Sequence, residues 1–130
     1  MNKQKIAIKV EKDIILARKA GREMLRLLGF GTADQTRFAT AISELARNII
    51  QYAGDGSCTI SDISNGKEVG VEVVFQDNGP GIADIDLAMH YGYSTGKGIG
   101  GGLPGAKRLV DKFDIQSEPR NTVVTIQMKR

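Results

Sequence analysis

Along the first residues Ile6, Ile8 and Val10 alternate with small or polar neighbours, so residues 5–10 predict a strand covered on one face. The period then changes. Ile14, Ala17, Gly21, Met24, Leu25 and Leu28 recur at helical spacing, with Asp13 in the first turn and Gly29-Phe30-Gly31 as the stop. Beside this stripe Arg18, Arg22 and Arg26 form a row at i, i+4 spacing, which reads either as a solvated face or as a docking face for a partner. A second helix carries Phe38, Ile42, Leu45 and Ile49 to about Ala53, with Thr32 and Asp34 or Gln35 as its expected cap. Gly54-Asp55-Gly56 turns the chain into a strand over 58–63, and Ser64-Asn65-Gly66-Lys67 is a hairpin signal before a strand over 69–76. Residues 84–89 suit a short helix, and 91–102 form a polar, glycine-loaded loop of the kind that closes as a lid. Residues 103–110 read as a helix with Pro104 in its first turn. Strands over 113–117 and 122–128 follow, joined by the turn Glu118-Pro119-Arg120-Asn121.

This order predicts an α+β fold: a two-layer α/β sandwich whose mixed, mainly antiparallel sheet carries helices on one face only. The other face must then be polar or meet a partner. A chain of 130 residues fits a single domain spanning 1–130. With 41% hydrophobic and 25% charged residues, and no apolar run near the ~18 residues that span a bilayer, a soluble protein is expected. Its start lacks the apolar core and cleavage site of a signal peptide, which makes the cytoplasm the expected location. Cys58 stands alone and His90 is the only histidine, so neither an internal disulfide nor a structural zinc site is expected. A net charge of +3 without a Lys/Arg cluster gives no nucleic-acid signature.

Candidate chemistry gathers at two glycine-rich stretches. Asp77-Asn78-Gly79-Pro80-Gly81-Ile82 places a carboxylate at the end of a strand and follows it with a tight turn that a flat ligand can approach. Gly96-Lys97-Gly98-Ile99-Gly100-Gly101-Gly102-Leu103 is rich in backbone N–H groups and leads into a helix, as an anion cradle requires. Together they suggest a nucleotide site. Gly96, Gly98 and Gly101 fit G-x-G-x-x-G, but a loop precedes them where a dinucleotide fold needs a buried strand. A P-loop and the H-R-D and D-F-G motifs of eukaryotic-type kinases are absent from the sequence. On the second helix Glu44 and Asn48 lie one turn apart on the border of the buried stripe, where a cleft-lining helix puts polar groups. A Glu44 to Arg47 surface ion pair is the plainer reading of the same spacing.

Ser43-Glu44-Leu45-Ala46-Arg47-Asn48, Asp77 to Ile82 and Gly98 to Leu103 resemble, in order and spacing, the N, G1 and G2 boxes of the GHKL ATPase/kinase superfamily. The short domain looks like the anti-sigma-factor serine kinases within it, those of the stressosome included; Ile42 to Ile49, Gly29-Phe30-Gly31-Thr32 and Leu103 to Leu109 carry this finer likeness. The resemblance implies the Bergerat ATP-binding fold and a Mg²⁺-dependent, ATP-using protein serine/threonine kinase. Its implied substrates are STAS-domain partners in a stress-signalling partner switch, with a downstream regulatory enzyme as a second target and neither nucleic acid nor membrane as partner. It makes Glu44 the general base and Asn48 the Mg²⁺ ligand. Asp77 would accept from the adenine amino group, beside Gly79, Gly81 and Ile82. Gly98, Gly100 and Gly102 would wrap the phosphates with Ser94, Thr95 and Lys97 as further lid contacts, Gly96, Gly101 and Leu103 would also bind ATP, and Thr122 would lie under the adenine. Asn121 stands where the family has glycine, and tolerates a left-handed backbone better than most residues. An ATP-gated binding switch without phosphoryl transfer is the noncatalytic alternative.

Overall fold

A computed structural model of the protein describes residues 3–79, 102–118 and 120–130. The first strand, β1 (Lys3–Ile8), ends earlier than alternation predicts. The Asp13 carboxylate draws the N–H groups of Lys9 and Val10 to itself at 2.9 and 3.1 Å, so these two residues lead into the helix and leave the ladder. Helix α1 (Glu11–Leu27) buries Ile14, Ala17, Gly21 and Leu25, the stripe read from the sequence. It closes on a Schellman turn. Gly29 takes φ 85, Phe30 N–H donates to Leu25 and Gly29 N–H to Arg26, and the Phe30 ring is buried beneath the turn.

Helix α2 (Thr32–Tyr52) starts from Gly31 without a side-chain cap, which corrects the expected role of Thr32: that residue already belongs to the helix. Gln35 does act at this end, donating its amide to the Phe30 carbonyl at 2.9 Å. Phe38, Ala41, Ile42, Leu45, Ala46 and Ile49 make its buried face. The two helices approach closely at Gly21, where a Cβ would collide with the Ile42 side chain.

Strands β2 (Gly56–Asp62) and β3 (Gly70–Asp77) follow, then helix α3 (Gly102–Leu109), β4 (Lys112–Glu118) and β5 (Asn121–Lys129). The sheet order is β1-β2-β3-β5-β4. The expectation of a mainly antiparallel sheet holds, and all four pairings among the described residues are antiparallel. Register fixes the two faces. The row Ile6, Cys58, Phe75, Val124 and Ile115 lies on the helix side, whereas the row Lys5, Thr59, Val74, Thr125 and Asp114 lies on the other. Most of that helix-free row is polar, as a face without a covering layer requires. Burial pushes the Cys58 thiol up to about 12, which keeps it protonated and unreactive. Among the described residues no helix is long and apolar enough to cross a membrane. The short helix expected over 84–89 and most of the expected lid fall outside the described residues.

Candidate active site

Gly56, Asp77 and Thr122 share one lateral row at one end of the sheet, because β2 pairs Gly56 with Asp77 and β5 pairs Thr122 with Asp77. Asp77 is the last residue of β3, where the ladder stops. Its Oδ1 accepts the Gly79 N–H at 2.9 Å, which bends the chain back over the strand end, and Oδ2 has no partner among the described residues. Thr122 is buried on the helix-facing side, and its hydroxyl is hydrogen-bonded to Ser117 Oγ at 2.9 Å, where either oxygen can donate.

The end of α2 closes the same corner. An added Cβ at Gly56 would stand 2.9 Å from Ile49 Cγ2 and 3.0 Å from Asp77 Cβ. One at Gly79 would stand 2.7 Å from Ala53 Cβ. Gly79 is therefore needed so that the turn can lie against the C-cap of α2, and this close approach, with no left-handed φ, is what excludes a side chain there. About one and a half and two and a half turns before that cap come Asn48 and Glu44, both half-buried on one flank. The surface ion pair read from the sequence is present too: Arg47 Nη1 lies 3.4 Å from Glu44 Oε1, on side chains 48% and 35% exposed. It is a long, solvated contact and leaves the carboxylate available.

Helix α3 packs against α2, with Ala106 buried and Leu103 partly buried against the core. Gly102 opens this helix. The structure thus brings Asp77, Gly79 and Thr122 together at the end of α2 that follows Glu44 and Asn48, with Gly102 and Leu103 on the neighbouring helix. Gly81, Ile82, Ser94, Thr95, Gly96, Lys97, Gly98, Gly100 and Gly101 lie outside the described residues. Sequence reading passed over Gly56, Ala53, Ser117 and Arg120. Gly56 reads only as part of a turn, Ala53 and Arg120 take their meaning from long-range contacts with Gly79, and Ser117 takes its meaning from the pairing of β4 with β5.

Arg120 corrects the turn before Thr122. The left-handed residue is Arg120, with φ 68, while Asn121 is already in β5. Asn121 instead accepts a hydrogen bond from Gln76 Nε2 at 3.4 Å.

The donor set suits an adenine nucleotide. Asp77 can accept from an exocyclic amine, and the pure acceptor character of a carboxylate rejects a carbonyl at that place. Asn48 supplies a neutral oxygen of the kind hard divalent cations take.

The chain belongs to the histidine kinase-, DNA gyrase B-, and HSP90-like ATPase family, which matches residues 33–130. Membership in this family implies that the chain uses ATP. Within it, the chain is a homologue of serine/threonine-protein kinase RsbT of Bacillus subtilis (strain 168), 49% identical over 118 residues that cover 90% of this chain and 89% of the relative. Solved structures share the fold. The RsbU and RsbW domains of a Mycobacterium tuberculosis protein match the whole chain with a TM-score of 0.66 at 19% identity, the match spanning 33% of that longer chain. The mycobacterial sensor histidine kinase MprB matches 98% of this chain and 97% of its own with a TM-score of 0.60 at 16% identity.

Proposed function

We propose that this RsbT-like serine/threonine kinase homologue is a single-domain, cytoplasmic, Mg²⁺-dependent protein kinase that phosphorylates STAS-domain partners in a stress-signalling partner switch. A downstream regulatory enzyme is its second binding target, and nucleic acid and membrane are not partners. The observation that carries this reading is the shared corner: one helix presents Glu44 and Asn48, and its C-terminus packs on the turn after Asp77.

Asp77 accepts from the adenine amino group, and the buried Thr122 beneath fixes the base from the sheet side. Asn48 would hold Mg²⁺, and Gly98, Gly100 and Gly102 would wrap the phosphates, with Ser94, Thr95 and Lys97 as further contacts. When bound, Mg²⁺ neutralises charge on the phosphate oxygens. Glu44 takes the proton of the acceptor hydroxyl as its oxygen forms the new bond to the γ-phosphorus; the bond from that phosphorus to the β-bridging oxygen breaks, and ADP leaves. Half-burial suits Glu44 to this task, because the carboxylate must be ionised and still reach a protein substrate.

The Glu44 to Arg47 contact favours a second reading, an ATP-gated binding switch in which Glu44 is only a surface partner of Arg47. Incubation with Mg²⁺, γ-labelled ATP and a panel of STAS proteins separates the two. Label on a serine or threonine of one STAS protein is the expected result, and ATP-dependent binding without any label would establish the switch instead.

A further inference from the structure

We propose that Arg120 is a positioning residue for base recognition, acting through its backbone: its N–H latches the turn that aims Asp77. This rests on the reading of Asp77 as the adenine acceptor. The regular β3 to β5 ladder ends at the pair Asp77 and Thr122. One further bond lies beyond it, from Arg120 N–H to the Gly79 carbonyl at 2.8 Å. Gly79 is thereby held on both sides. Its N–H donates to Asp77 Oδ1 and its carbonyl accepts from Arg120.

The geometry has a cost that the turn could have avoided. Arg120 takes φ 68, a left-handed backbone that a residue with a Cβ adopts unfavourably, and glycine or asparagine would hold it more easily. Its side chain is exposed, so burial does not impose the conformation. What the conformation achieves is the direction of one N–H. Gln76 Nε2 to Asn121 Oδ1, at 3.4 Å, ties the neighbouring positions of the same two strands. The β4 to β5 turn therefore sets the orientation of the carboxylate on which discrimination between adenine and guanine depends, although no side chain of that turn needs to touch the base.

The test is a series at position 120 in the full chain, read by ATP calorimetry, by GTP competition and by melting temperature. Arg120→Gly, Arg120→Asn and Arg120→Ala keep the N–H and should hold ATP affinity within about twofold. Arg120→Val, a β-branched residue forced to positive φ, and Arg120→Pro, which lacks the N–H, should weaken ATP by about fivefold while GTP changes little, so that the ATP over GTP preference narrows. A merely structural turn predicts lower melting temperatures for Val and Pro with an unchanged preference, and that result overturns the latch. Equal losses across all five variants would assign the effect to the guanidinium and overturn it as well. Asp77→Asn, measured in parallel, separates the two readings: no loss there removes the base site and the latch with it, whereas a loss there with a flat series at 120 sinks the latch alone. Should Val and Pro fail to fold, amide exchange in the native chain decides, because an Arg120 N–H that exchanges at the rate of a free amide refutes the bond.

Discussion

Single side chains carry the distinction between a kinase and a binder. Glu44→Gln keeps shape and hydrogen bonding but removes the proton acceptor, so phosphate transfer should fall by ~10² or more while ATP still binds. The same substitution breaks the ion pair with Arg47, which is solvated, 3.4 Å long and worth at most ~1 kcal/mol, so the melting temperature should hardly move. Transfer that survives in this variant removes Glu44 as the base. Asn48→Ala should behave differently, lowering Mg²⁺-dependent ATP affinity and transfer together. Asp77→Asn should weaken ATP and admit GTP, because the new amide can donate to a guanine carbonyl. Calorimetry with both nucleotides checks it, and an unchanged ATP affinity excludes Asp77 from the site.

At the scale of elements, the start of α1 is secured by a charge. Two backbone N–H groups, from Lys9 first and Val10 second, donate to Asp13 and hold its carboxyl below the ordinary value. A folded pKa below the unfolded one stabilises the protein above the unfolded value, and the contribution is lost as pH falls through the folded value. Asp13→Ala should therefore lower the melting temperature at neutral pH, and the gap to the parent should close in acid, below about pH 4. A gap that persists unchanged at about pH 2, well under the ordinary carboxylate range, would place the effect elsewhere. The packing of α1 on α2 depends on the missing side chain of Gly21, so Gly21→Val should overpack against Ile42 and cost about 1–3 kcal/mol in denaturant unfolding. The Ile42 side chain can yield only where the buried Phe38 beside it allows.

Across the whole molecule, the sheet leaves one surface of α1 facing outward, with Arg18, Arg22 and Arg26 exposed along it. Arg26 is engaged by Glu23 on the same helix, its guanidinium holding that carboxyl below its usual value, while Arg18 and Arg22 point to solvent. If this face docks an acidic partner, reversing all three to Glu should reduce partner affinity at least ~tenfold and leave the unfolding transition as steep as before, because none of the three is in the core. Unchanged affinity by titration returns the row to a solvated face.

Over the described residues the sequence by itself determined the kind and order of the elements, since each rests on a short-range pattern: the α1 and α2 stripes and the strands β2, β3 and β5 stand within a residue or two of where the pattern puts them. It also determined the N-box flank of Glu44 and Asn48, because helical geometry alone puts residues four apart on one side. Ends were less legible. Val10 alternates as a strand residue should, yet Asp13 takes its N–H; Thr32 is a good cap residue, yet the Schellman turn at Gly29 already sets where α2 begins. Only the tertiary structure decided that β5 enters the sheet beside β3. That pairing sets Thr122 against Asp77, lays Gly79 on Ala53 and directs the Arg120 N–H to the Gly79 carbonyl. These contacts join residues more than twenty positions apart, and their register depends on how all five strands share one buried face, which no local window of sequence contains.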